Sequence, residues 1–76
     1  MILEDIQNAM GELDEDLLFK LIDEYLGGNP TEDRAREIIN YTQDGTKIVG
    51  DRYHRGKYFV GDLIYAGELM TEIIDK

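Results

Sequence analysis

The stretch Asp14-Glu15-Asp16-Leu17-Leu18-Phe19-Lys20-Leu21-Ile22-Asp23-Glu24-Tyr25-Leu26-Gly27-Gly28-Asn29-Pro30 decides the fold. Leu17, Leu18, Leu21, Ile22, Tyr25 and Leu26 recur at spacings of three and four, which is the period of one apolar stripe on an α-helix. Asp14 is placed to cap the free amides of the first turn, and Glu15 and Asp16 suit the positive end of the helix dipole. Gly27 and Gly28 permit the left-handed turn that stops the helix. Asn29-Pro30 then starts another, because Asn caps and Pro at the first helical position gives up no hydrogen bond.

The same period extends in both directions. Ile2, Leu3, Ile6, Ala9 and Met10 predict a short first helix ended by Gly11. Ala35, Ile38, Ile39, Thr42, Gly45, Ile48, Val49 and Tyr53 predict one long third helix to about residue 55, closed by Arg55-Gly56. Gly45 and Gly50 each cost about 1 kcal/mol relative to Ala inside that helix. Close helix packing or a local break accounts for them; the functional alternative is close approach of a bulky ligand. Lys57-Tyr58-Phe59-Val60 is too apolar for an ordinary solvated loop, and Gly61-Asp62 opens a fourth helix with Leu63, Ile64, Ala66, Gly67, Leu69, Met70, Ile73 and Ile74 facing inward. Four helices joined by short connections predict an all-α, antiparallel four-helix bundle, with residues 1–76 as a single domain.

Composition narrows the function. A chain of 76 residues buries only about 60% of the surface it exposes when unfolded, which excludes a two-domain enzyme. No apolar run approaches the roughly 20 residues that span a bilayer, and no export or lipidation signal is legible, so a soluble, cytoplasmic protein is expected. Cysteine is absent, which removes disulfides and thiolate metal sites. The net charge of −9 argues against nucleic acid, whose binding rests on Lys and Arg neutralising phosphates. The charge is uneven. Residues 1–33 carry the carboxylates Glu4, Asp5, Glu12, Asp14, Glu15, Asp16, Asp23, Glu24, Glu32 and Asp33 against Lys20 alone, whereas residues 34–76 balance; a solvated helix face is the plain reading of the acidic half.

The residue types exclude most chemistry. With neither serine nor cysteine, and a single histidine, His54, there is no activated nucleophile beside a base and no zinc ligand set. Asp14-Glu15-Asp16 lacks the spaced oxygens and central Gly of a calcium loop, and no Gly-rich loop precedes a Lys-Ser or Lys-Thr pair. An acyl carrier protein, which a small acidic helical chain suggests, needs a serine for phosphopantetheine. No catalytic residue and no metal ligand is expected.

The segment from Asp44 to Met70 holds Gly45, Val49-Gly50-Asp51, Tyr53, Gly56-Lys57-Tyr58-Phe59-Val60 and a helix with Ala66 that runs to Met70. This arrangement resembles the four-helix cap of corrinoid proteins, the module that precedes the cobalamin-binding domain in cobalamin-dependent methionine synthase and in methyltransferase corrinoid proteins. The resemblance covers residues 29–76 by motif and residues 1–28 by helical pattern. It implies a non-catalytic cap that covers the upper face of cobalamin and shields the cobalt–methyl bond, with two apolar side chains seven residues apart approaching the methyl group. Those positions fall on Tyr53 and Val60. The implied cofactor is cobalamin, held only together with a separate or downstream cobalamin-binding domain; the implied partners are that Rossmann-like domain and a methyltransferase protein.

Three departures accompany it. Gly61 stands where many members have Pro, Tyr53 brings a hydroxyl where Phe is common, and Ile39 and Asn40 occupy the place of a corrin-contacting glutamate. The cobalamin domain's own Asp-x-His-x-x-Gly signature is absent: in Asp51-Arg52-Tyr53-His54-Arg55-Gly56 the histidine is one residue too late and no strand precedes it. The chain stops about where a linker to that domain would begin, and so reads as a fragment or a separately made cap. The rival reading is a small acidic helical interaction module that docks a partner through Tyr58-Phe59-Val60. The sensory version of the cap ranks below both, since Trp and a Glu-His pair are missing.

Overall fold

The Asp14 carboxylate accepts the Leu17 amide at 3.2 Å and so opens a helix where the sequence predicts one. That helix belongs to a computed structural model that describes residues 1–28 and 31–75. Among the described residues there are four helices: α1 (Ile2–Gly11), α2 (Glu15–Leu26), α3 (Glu32–His54) and α4 (Val60–Asp75). There is no strand among the described residues.

Three helix ends differ from the expectation. Helix α1 ends at Gly11 as expected, but Gly11 is its last helical residue, is buried, and does not make the left-handed stop. The left-handed position falls on Leu13 (φ 57°), with Leu13 N–H donating to Met10 O and Asp14 N–H to Ala9 O, both at 3.0 Å. This pair of bonds is the glycine-type helix stop, made here by a residue for which the conformation costs roughly 1–2 kcal/mol. The side chain of Leu13 packs on the core, which offsets that cost. Gly11 is needed for contact instead, since a Cβ there would lie 2.9 Å from Ile48 Cγ2 on α3. At the start of α3 the cap is Thr31, whose hydroxyl accepts the Arg34 amide at 3.2 Å; the predicted cap Asn29 and first helical residue Pro30 lie outside the described residues. Helix α4 begins at Val60, one residue before Gly61, because Asp62 reaches back to accept the Phe59 amide at 2.8 Å.

Packing explains Gly45. A Cβ on it would sit 2.6 Å from Met10 Cβ and 2.8 Å from the Gln7 carbonyl, so α1 and α3 touch backbone to backbone at this point. The pairs Gln7/Met10 with Gly45 and Gly11 with Ile48 rise together in number, so α1 and α3 run the same way. Around this contact Ile6, Met10, Leu18, Val49 and Leu69 are almost wholly enclosed. Thr42, the buried polar residue, donates its hydroxyl to the Ile38 and Ile39 carbonyls, and no buried side-chain polar atom lacks a partner among the described residues.

The inward-facing set on α4 is narrower than the sequence predicts. Ala66, Leu69 and Ile73 enter the core, but Ile64 (60% exposed), Gly67 and Ile74 face outward. The helix is apolar on two faces, and α3 covers only one. Leu17 and Ala35, which share the apolar period of α2 and α3, are exposed as well.

Two tyrosines pin the outer edges: Tyr25 Oη donates to Glu37 and Tyr65 Oη to Glu15, each at 2.6 Å. The bond to Glu15, with lesser help from desolvation and the carboxylate's field, pushes the Tyr65 hydroxyl up from 10.0 to about 12. A raised native value stabilises fully below the unfolded value and is lost on passing the folded one. The stabilising effect of Tyr65 over Tyr65→Phe should therefore hold up to about pH 10 and vanish by about pH 12. Urea midpoints of both proteins across this range test it; a gap that stays constant contradicts it.

Candidate functional site

The turn from α3 to α4 is built on a second helix stop. Gly56 takes the left-handed conformation (φ 81°), Gly56 N–H donates to Tyr53 O at 3.0 Å, and Lys57 N–H donates to Arg52 O at 2.8 Å. The chain then turns Tyr58 inward. Its hydroxyl donates to the Gly11 carbonyl at 2.9 Å and accepts from Arg52 Nη1 at 3.0 Å. Arg52 also donates to Gly11 O and, through Nη2, to Glu12 Oε1, each at 3.0 Å, with its guanidinium 5.7 Å from the Tyr58 ring centroid. The Tyr58 hydrogen bond, then Glu12, raise the Arg52 pKa further above its already high value. A four-membered clamp thus ties the turn to the end of α1.

Because the clamp uses Tyr58 as its strut, its neighbours point away. Phe59 is 78% exposed, Val60 56% and Tyr53 40%. Tyr53 lies in the last turn of α3 and Val60 opens α4, so the two candidate positions flank one turn, with Ile64 a helical turn beyond Val60. The predicted Tyr58-Phe59-Val60 patch is therefore corrected to Tyr53, Phe59, Val60 and Ile64. Sequence reasoning assigned Ile64 to the core; the spacing of Val60, Ile64, Gly67, Thr71 and Ile74 on α4 was the available signal for a second apolar stripe. No sequence signal pointed to the Arg52–Tyr58 clamp.

The surroundings are polar but not reactive. Arg55 pairs with Asp51 at 3.1 Å and Lys47 with Asp44 at 3.3 Å, both exposed pairs of small energetic weight. His54 is exposed in the last turn of α3, so the Asp51-to-Gly56 run sits on a helix and not on the strand-to-loop turn that a cobalt-ligating histidine needs. No cluster of three metal-ligating side chains occurs among the described residues, and no described helix is long and apolar enough to cross a membrane.

The site thus consists of a small helical bundle with a turn pinned to the end of α1 and apolar side chains left outside its core. A family model described as B12 binding domain matches residues 2–76, and the chain belongs to that family, the helical cap domain of cobalamin-binding proteins. The domain is not catalytic on its own. No solved structure matches the chain.

Proposed function

We propose that this domain caps the upper face of a corrin held by a separate cobalamin-binding domain and shields a cobalt-bound methyl group, with Tyr53 and Val60 as the covering side chains. The observation that carries the reading is that both positions, with Phe59, stand outside a core that is complete without them. Bound cobalamin would supply the methyl-transfer chemistry; this chain supplies apolar bulk and excludes water. Its residues suit a flat, hydrophobic neighbour. A Cβ on Gly50, one turn before Tyr53, or on Gly61, next to Val60, would meet nothing within 4 Å, so a large ring system could lie close to the backbone there. A methyltransferase protein is the natural further partner, admitted when the cap swings aside.

Photolysis of the methylated cofactor tests the reading. Joined to its cobalamin-binding domain, the cap should slow loss of the methyl group, and Tyr53→Ala or Val60→Ala should restore faster loss without unfolding the bundle, since both side chains are exposed. Equal rates with and without residues 1–76 would sink the shielding role. The rival reading, a cofactor-free interaction module, draws on Phe59; it predicts concentration-dependent self-association that Phe59→Ala abolishes.

A further inference from the structure

Between α1 and α2 lies a groove of about 270 Å³ that the cap reading does not use. Ala9, Leu17 and Leu21 give it an apolar lining, beside Asn8 and the carboxylates of Asp5, Glu12 and Asp14. Leu17 is 42% exposed in the first turn of α2, while its neighbour Leu18 supplies the buried anchor. An aliphatic floor does not serve a metal ion or a hydrated cation, which need converging oxygens. It also departs from the purely solvated face that the acidic sequence suggested. Two rim carboxylates are already oriented: Glu12 holds Arg52, and Asp14 holds the Leu17 amide. A carboxylate has acceptor capacity for further donors, so these groups are set in place before a partner arrives.

Apolar floor with acidic rim is the complement of a helix bearing aliphatic anchors flanked by cations. We infer that the α1–α2 face docks a basic amphipathic helix of a partner protein, its aliphatic residues over Leu17 and Leu21 and its Lys or Arg side chains facing Asp5 and Asp14, since Glu12 is already paired with Arg52. The ten carboxylates and single lysine of residues 1–33 draw such a helix in at long range. A second copy of this chain is the wrong occupant, because each copy carries a net charge of −9. The groove is lined by α1, α2 and the turn between them, whereas Tyr53 and Val60 belong to α3 and α4, so the two surfaces share no lining residue.

The probe is a fluorescein-labelled synthetic helix of about 18 residues, long enough to hold helical structure, with leucines on one face and lysines on its flanks. Anisotropy titration and amide chemical-shift mapping on the intact chain should give one-to-one binding that shifts residues of α1 and α2. Leu17→Gln and Asp5→Lys should each weaken it about tenfold, the loss of about 1.4 kcal/mol expected of an anchor contact. Tyr53→Ala should leave the affinity unchanged, which separates this site from the cap role. The inference is overturned by shifts centred on Ile64 and Ile74 of α4, by equal affinity for a lysine helix whose leucines are replaced with glutamine, or by unaltered binding to Leu17→Gln. Should Leu17→Gln lose helicity, Asp5→Lys at an exposed position decides.

Discussion

Gly45→Ala lowers the melting temperature of the bundle and Gly50→Ala raises it, although both exchanges put the same methyl group into the same helix. At position 45 the new Cβ would lie 2.6 Å from Met10 Cβ and 2.8 Å from the backbone oxygen of Gln7. Neither is the free end of a flexible side chain, so α1 and α3 must move apart. Overpacking costs about 1–3 kcal/mol, and contacts this short to a side-chain base and a backbone oxygen place it in the upper part of that range, above the gain of up to about 1 kcal/mol that Ala brings to a helix interior. At position 50 nothing lies within 4 Å of the added carbon, so only the gain remains. For a domain of this size, 1 kcal/mol moves the melting temperature by roughly 4–8 °C, so an overpacking cost of about 1–3 kcal/mol should separate the two variants by roughly 4–24 °C. Thermal unfolding followed by circular dichroism measures this directly. Shifts of the same sign at both positions would refute the backbone contact between α1 and α3.

Arg52→Met should loosen the α3-to-α4 turn while leaving the core packed. The substitution keeps an apolar stem but removes the bonds to Gly11 O, Tyr58 Oη and Glu12 Oε1. Hydrogen bonds that involve a charged group are worth about 1.5–3 kcal/mol, and the Arg52 side chain, 31% exposed, belongs at the lower end of that range. Tyr58→Phe should cost less, about 1 kcal/mol, because Arg52 still holds Gly11. The double variant should cost less than the sum, since the groups form one network. Amide hydrogen exchange gives the discriminating readout: the amides of residues 56–60 should exchange faster in Arg52→Met, while those of α2 keep their protection. Unchanged exchange at the turn would mean that Gly56 alone holds it. Faster methyl photolysis in the same variant would follow from the proposed function, because the clamp is what turns Phe59 and Val60 outward.

Helix α2 was legible because its signals are local: Asp14 needs only its own amide three residues on, and Gly27 needs only its own φ of 57°. Gly11 misled because a glycine before a turn reads as a helix stop, whereas this one answers to Ile48, far along the chain. The left-handed turn then fell to Leu13, which no local rule would choose. Ile64 and Ile74 misled because periodicity identifies apolar stripes but not which of two stripes a neighbouring helix covers. The candidate positions Tyr53 and Val60 came from a resemblance to cap domains and not from period or spacing, and their exposure became visible only in three dimensions.

The order of residues alone specified four helices, most of their boundaries and the acidic bias of the first half, because each depends on residue type or on neighbours within a turn or two. Tertiary structure decided which glycine carries the helix contact, which tyrosine is a strut and which face stays bare. Those outcomes rest on distances between residues about 35 to 50 positions apart, such as Gly45 to Met10, Tyr58 to Gly11 and Tyr65 to Glu15. Such pairs are brought together by the packing of whole helices, whose energy is spread over the core and written in no single stretch of the chain.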